Sequence, residues 1–307
     1  MTQTISPSAP DSPSAPEKPS APEQAPVKPP EPAAPQPAKD VTAQGIGVGL
    51  ILLGVFLLGF LGYLFGLSSL QEARAQSNAF ATFRAKLAQQ IAPLKATTPG
   101  APVAILNIPA IGIKNMIVVE GTSPTNLELG PGHVRNSPLP GENGVTEIFG
   151  RRATFGAPFG RLPELHRGDK VQFITGQGKS SYTIIAKGDS GHLVKDPAPN
   201  RLLLLTACSK TIPATYCYFD AELTTTPQQD PGGRPVITAS ETPLSGDFSV
   251  LVLTMVWGIA LVMISVAGTV AAARWSPRLA YMVTAPLALA VLWNLYQSLA
   301  ALLPNVY

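Results

Sequence analysis

A cysteine at the tip of an apolar run is the residue in this chain best placed to do chemistry. Residues 201–208 read Arg-Leu-Leu-Leu-Leu-Thr-Ala-Cys, a strand-like segment that ends on Cys208. A thiolate is a strong nucleophile, but a free thiol with a pKa near ~8.5 is mostly protonated at neutral pH. The second of the 2 cysteines is Cys217. In an exported domain such a pair can close a disulfide, which would remove the nucleophile. An exposed cleft thiol at Cys208 is the expectation, with a Cys208–Cys217 bridge as its alternative. A glycine-flanked turn, Gly150-Arg-Arg-Ala-Thr-Phe-Gly156, brings two cations, Arg151 and Arg152. The 3 histidines are His133, His166 and His192. No His/Cys/Asp spacing suggests a metal site, and no cofactor is implied.

The elements that must position these residues differ sharply along the 307 residues. Residues 1–44 form a Pro-rich tail with prolines at every third position from Pro7 to Pro22 and almost no large apolar side chain. Such a segment buries too little surface to offset its ordering entropy, so a disordered tail of polyproline II character is expected. Three uncharged apolar stretches follow, at residues 45–67, 248–273 and 279–303. Each is long enough to cross a hydrocarbon core of about 30 Å as a helix, which takes about 20 residues. The first begins too late and runs too long for a cleaved signal peptide, so it reads as a retained anchor.

Orientation follows from the short loop Arg274-Trp-Ser-Pro-Arg278, which carries two arginines and no acid and so belongs in the cytoplasm. Three spans with that loop inside place the N-terminus in the cytoplasm and the segment between the first two spans outside the cell. The last two spans carry Asn294 and Gln297, polar groups able to hydrogen-bond between helices or to meet water at the outer interface. The net charge of +3 is too small to suggest nucleic acid.

Between the spans, residues 68–100 read as an amphipathic stalk helix and linker. Leu70, Phe80, Phe83, Leu87 and Ile91 are its apolar residues, the last four at helical spacing. From residue 101 to 223 the texture changes to short β-rich runs split by Gly, Pro and Asn. Strands are expected at 103–108, 117–119, 145–149, 170–175, 181–186, 201–206 and 217–223. They compose one all-β domain with its own core, and closure into a barrel would leave no exposed edge. Residues 224–247 are a Pro/Gly/Thr linker back to the membrane.

The outer domain resembles the sortases, in particular the class E-like and class C-like sortases of Gram-positive bacteria. The resemblance is carried by Val103-Ala-Ile-Leu-Asn-Ile-Pro109, Val118-Val-Glu-Gly121, Leu129-Gly-Pro-Gly-His133, Leu139-Pro-Gly-Glu142, Gly156-Ala-Pro-Phe159, Arg161-Leu-Pro-Glu-Leu165, Gly168-Asp169 and Leu205-Thr-Ala-Cys208, in that order. It implies an eight-stranded sortase β-barrel and a cysteine that attacks a Leu-Pro-x-Thr-Gly-like sorting signal. The resulting thioester passes the protein to an amine on cell wall or pilin.

That chemistry needs a thiolate, a histidine as acid and base, and a cation to hold the substrate or oxyanion. Cys208 matches the family nucleophile. Arg151 stands where the resemblance implies the histidine, in what would be a Gly-His-Arg turn. An arginine does not lose its proton in the working range, so it is no general acid or base. Tyr216 stands where the family arginine is implied, and no arginine occurs between Cys208 and Leu223. His133, Arg152 and Thr206 are accessory candidates, His133 as a displaced base or as a structural hydrogen-bonder; His166 and His192 read as surface histidines.

The expectation is therefore a membrane-anchored, extracytoplasmic, degenerate sortase of the surface-protein anchoring system. It would bind a sorting-signal peptide on a surface protein, a cell-wall precursor, or a membrane partner such as a second sortase. One rival is an active, atypical cysteine transpeptidase using Cys208 with His133 or Arg151. Another makes the C-terminal spans primary and the barrel an accessory sensor.

Overall fold

The computed structural model describes residues 41–95, 97–191, 199–211 and 214–307. The proline repeat and His192 lie outside the described residues. Helix α1, Val41–Gly62, starts inside the stretch expected as tail and passes through a π-helical turn, Tyr63–Leu67, into α2, Ser68–Ala88. The anchor and the stalk are thus one helical run. It stops where Gln90 takes a left-handed φ of 58°, so Ile91 falls beyond it and is exposed, as is Leu70.

Eight strands follow: β1 Pro102–Ile108, β2 Ile113–Glu120, β3 Gly132–His133, β4 Val145–Phe149, β5 Lys170–Thr175, β6 Gly178–Asp189, β7 Arg201–Ala207 and β8 Tyr216–Leu223. A short helix, α3 Pro124–Leu127, lies between β2 and β3. The strands close a barrel in the order β1-β2-β3-β4-β7-β8-β6-β5. The expected strands are all present, most of them longer than expected at one or both ends. The addition is β3, two residues that no period-2 pattern can reveal.

The four leucines of β7 run consecutively because both faces of the strand are covered. Leu202 and Leu204 enter the main core with Val103, Leu106, Ile148, Phe173 and Phe219. Leu205 belongs to a second apolar cluster on the outer face, with Leu127, Val134, Phe149, Ala207, Tyr218 and Val306, and Leu203 packs against it. A strand buried on both sides loses the polar alternation of a half-exposed one.

Helix α2 docks on the barrel through Phe83, which is fully buried with Ile105, Ile117 and Val119, with Phe80 and Leu87 against them. Burying one such phenylalanine is worth about 2–3 kcal/mol. Gln76 fixes the register: its amide donates to the carbonyls of Ile117 at 3.0 Å and Leu129 at 2.7 Å, and its oxygen accepts from Ile117 N at 2.7 Å.

Helices α4, Leu251–Arg274, and α5, Pro277–Ala301, form an antiparallel hairpin. Ser276 caps α5 by accepting from Leu279 N, with Pro277 at its first position. Gly268 allows the close approach, since a Cβ there would sit 3.0 Å from Thr284 Oγ1. Three helices, Gly47–Ala88, Phe248–Arg274 and Pro277–Ala301, are long and apolar enough to cross a membrane. Asn294 donates to Ala290 O within its own helix. A polar link between helices comes instead from Tyr296, whose hydroxyl donates to Phe56 O at 2.9 Å.

Candidate functional site

The site is set by one parallel pairing. β4 and β7 run side by side in the same direction with Phe149 opposite Leu205, so both strands end on the same rim. That places the Gly150–Arg151–Arg152 turn beside Thr206–Ala207–Cys208. Gly150 N donates to Leu205 O at 3.0 Å, and Thr206 Oγ1 donates to Gly150 O at 2.9 Å. Thr206, fully buried, ties the two chain segments together. Gly150 packs against Phe159, whose ring a Cβ would strike.

Cys208 does not present a free thiol. It is disulfide-bonded to Cys217, so the exposed cleft thiol expected there gives way to its alternative. The reason is register: β7 and β8 are antiparallel with Thr206 opposite Cys217, which brings Cys208 and Cys217 to a Cα separation of 4.9 Å. That lies inside the ~4.4–6.8 Å window for a bridge. A sulfur held in a disulfide is not a nucleophile.

Arg151 is fully buried. Its Nη2 donates to Pro124 O at 3.2 Å, its Nη1 to Thr154 Oγ1 at 3.4 Å, and the guanidinium lies 4.6 Å from the Phe155 ring centre. Burial pushes its pKa down to about 10, opposed by Glu128 and Tyr63; it remains a cation at neutral pH and cannot relay protons. The turn that holds it is strained, with Phe155 and Ala157 at left-handed φ values of 50° and 48°. Phe155 N donates to Ser68 Oγ at 3.1 Å, and its ring packs with Tyr63, Leu64, Tyr296 and Ala300. The turn is therefore anchored on the helices that leave the barrel.

Glu128 is a buried acid near Arg151, also reached by Gln71 Nε2 at 3.5 Å. Burial pushes its carboxyl up to about 7, with Arg151 pulling it down. A carboxyl whose folded pKa exceeds its unfolded value of about 4.3 is best tolerated while protonated. Its contribution is fully present below about pH 4 and is lost as pH rises through 7. Unfolding curves should show a decline of about 3–4 kcal/mol across that window, and Glu128→Gln should flatten it. An unchanged slope in the variant would refute this assignment.

His133 is fully buried, with Nδ1 3.1 Å from Glu120 Oε2 and Nε2 2.9 Å from Pro138 O and 3.2 Å from Ser137 Oγ. Both ring nitrogens are engaged inside the barrel wall, which suits the structural role. Tyr216 is half-buried at the start of β8, opposite Ala207. Arg152 is nearly buried and donates its backbone N–H to Val306 O at 3.0 Å. His166 sits in an exposed turn with its N–H bonded to Asp169. Among the described residues no cluster of three or more His, Cys, Asp or Glu is placed to hold a metal.

On the outer face of β4, β7 and β8 lies a groove of about 320 Å³, floored by Phe149, Leu203, Leu205, Tyr216 and Tyr218, with Glu147 and Arg201 on its walls. Residues 237–243 of the returning linker form its roof. Its Cys208 end is filled by the chain after α5. Val306, fully buried, accepts through its carbonyl from Arg152 N and from Ala207 N at 3.3 Å and donates to Pro243 O at 3.2 Å. Asn305 Nδ2 donates to Ser240 O and Thr242 O at 2.6 and 2.7 Å. Neither the tail nor Glu128 was legible as part of the site, because Pro-Asn-Val-Tyr after an apolar helix carries no local signal of where it docks.

Fold and site together define a closed eight-stranded barrel that presents a strand-end cysteine beside the turn of its parallel neighbour. Residues 106–218 match the family described as the sortase domain. Sortase D of Bacillus subtilis is 34% identical over 113 residues, a match covering 36% of this chain and 55% of that protein; the chain thus spans about half the length of this curated relative. Among solved structures, a sortase D5 transpeptidase of Clostridium perfringens aligns at 20% identity and a TM-score of 0.44, covering 50% of this chain and 99% of that one. Sortase E from Streptomyces avermitilis aligns at 28% identity and a TM-score of 0.36, covering 48% and 100%. The likeness to the sortase domain is thus confined to the barrel, residues 106–218.

Proposed function

We propose that this protein is a membrane-anchored member of the surface-protein anchoring system, with its barrel outside the cytoplasm, that holds a sorting-signal peptide without cleaving it. The Cys208–Cys217 bridge carries this reading. It occupies the sulfur that a transpeptidase would use, while Arg151 and Tyr216 replace the two groups that would assist it. The groove on β4, β7 and β8 offers an apolar floor and mixed charge to an extended peptide, in keeping with a fold whose relatives act on such signals. The bridge also supports the outward orientation, since disulfides persist in oxidising compartments, and the exposed Arg274 and Arg278 agree with it.

A fluorescent Leu-Pro-x-Thr-Gly peptide should bind the detergent-solubilised full chain by anisotropy and be recovered intact. Absence of saturable binding would remove the peptide reading. Val306→Asp, which places a charge in the apolar cluster at the groove end, should expel the tail and tighten peptide binding about tenfold while lowering stability by about 1–3 kcal/mol. An unchanged affinity would show that the tail does not compete for the groove. For orientation, an impermeant maleimide should label Lys179→Cys on intact cells and Ser276→Cys only after permeabilisation; the reverse pattern would invert the topology.

A further inference from the structure

A second hollow, of about 260 Å³, opens at the Cys208 end of the barrel. It shares no lining residue with the groove on the outer face. Its walls include Pro163, Phe219 and the Cys208–Cys217 bridge, with Arg152 and Lys187 as its cations and Asp189 as its acid. We propose that this hollow binds a small oxyanion, the carboxylate or phosphate end of a ligand, through Arg152 assisted by Lys187.

Arg152 carries the inference. It is only 9% exposed, and its Nε and Nη1 are buried with no protein acceptor. Its neighbour in sequence, Arg151, is satisfied through both terminal nitrogens. A buried guanidinium without a counter-charge is strongly unfavourable, and burial lowers the Arg152 pKa with no acid acting against it. A guanidinium that meets a carboxylate or phosphate oxygen forms a short charge-assisted hydrogen bond. The backbone beneath it is fixed, since Arg152 N is bonded to Val306 O at 3.0 Å.

Asp189, the acid on this wall, accepts from Gly191 N at 2.9 Å within its own turn, and neither Nε nor Nη1 of Arg152 is hydrogen-bonded to it. Lys187 is exposed and also lines an adjoining hollow with His166 and Arg167. An anion approaching this end of the barrel therefore meets basic side chains before reaching Arg152, and electrostatic attraction of this kind raises local ligand concentration.

The test is thermal unfolding of the full chain in detergent micelles, titrated with inorganic phosphate, with acetate, and with chloride at matched ionic strength. A ligand that binds only the folded state raises the apparent Tm with concentration. Phosphate or acetate should raise it saturably beyond chloride, and the more effective of the two identifies the source of the oxyanion. Arg152→Gln should raise the half-saturating concentration at least about tenfold, and Arg152→Lys should restore part of the affinity. Lys187→Gln, at an exposed position that leaves the barrel folded, should raise it about threefold. Equal curves in all three salts would overturn the site. So would an Arg152→Gln response identical to wild type, which would mark the shift as an adventitious ion effect only.

Discussion

Arg151→Ala is expected to lower the unfolding free energy of the barrel by about 3–5 kcal/mol, the range for truncating a large, fully buried and hydrogen-bonded side chain. Several losses combine. The side chain is among the largest that are fully buried, so truncation opens a cavity. Two hydrogen bonds, to Pro124 O and Thr154 Oγ1, disappear together with the cation over Phe155. Glu128 loses the charge that draws its carboxyl down and is left buried without a cation. Arg151→Met preserves volume and should cost less than Ala. Adding Glu128→Gln to Arg151→Met should recover part of the loss, because the stranded acid is then gone. Chemical denaturation of the full chain in detergent measures all three, and a loss below about 1 kcal/mol for Arg151→Ala would show that this cation does not hold the turn.

Cys217→Ala should release a thiol at Cys208 and still yield no transpeptidase. The bridge closes a short loop with a sequence separation of 9, for which the chain-entropy account gives about 2–3 kcal/mol of stabilisation. That much should be lost on opening it. The freed Cys208 should then label with maleimide, whereas wild type should label only after reduction. Turnover should remain absent, because the groups that would take and return a proton are missing: Arg151 is buried and cationic, and His133 has both ring nitrogens engaged. Adding Arg151→His and Tyr216→Arg to Cys217→Ala supplies them in principle, and any product from that triple variant should exceed that of Cys217→Ala by orders of magnitude. Product from Cys217→Ala alone, at a rate the triple variant does not exceed, would mean that the replaced residues are not what silences the site.

Much of the architecture was legible because it rests on local signals. Three uncharged stretches of membrane length announce three helices, and β-branched and apolar runs split by Gly and Pro announce the strands. The short motifs from Val103 to Cys208 point to one family. What was not legible depends on pairing across the chain. β3 is two residues long and exists only because Glu120 and Ile148 flank His133. The Cys208–Cys217 bridge follows from the β7–β8 register, which sequence leaves open. Arg151 was expected to lack acid–base function, but its direction, inward to Pro124 and Phe155, needed the path of the turn. The residues after α5 carry no local signal of where they dock; they fill the end of the groove because Val306 completes an apolar cluster begun by Phe149, Leu205 and Tyr218. Helix α1 continues into α2 because nothing between Gly62 and Ser68 breaks it; Tyr63–Leu67 only widens it into a π-helical turn.

The most direct test of a sortase barrel that binds without transferring is to incubate the full chain in detergent with a Leu-Pro-x-Thr-Gly peptide and an amine acceptor, with and without reductant, and to follow peptide and protein by mass spectrometry. The account predicts intact peptide, no amide product and no mass adduct on Cys208 in either condition. Amide product that appears with wild type and vanishes with Cys208→Ala would contradict it.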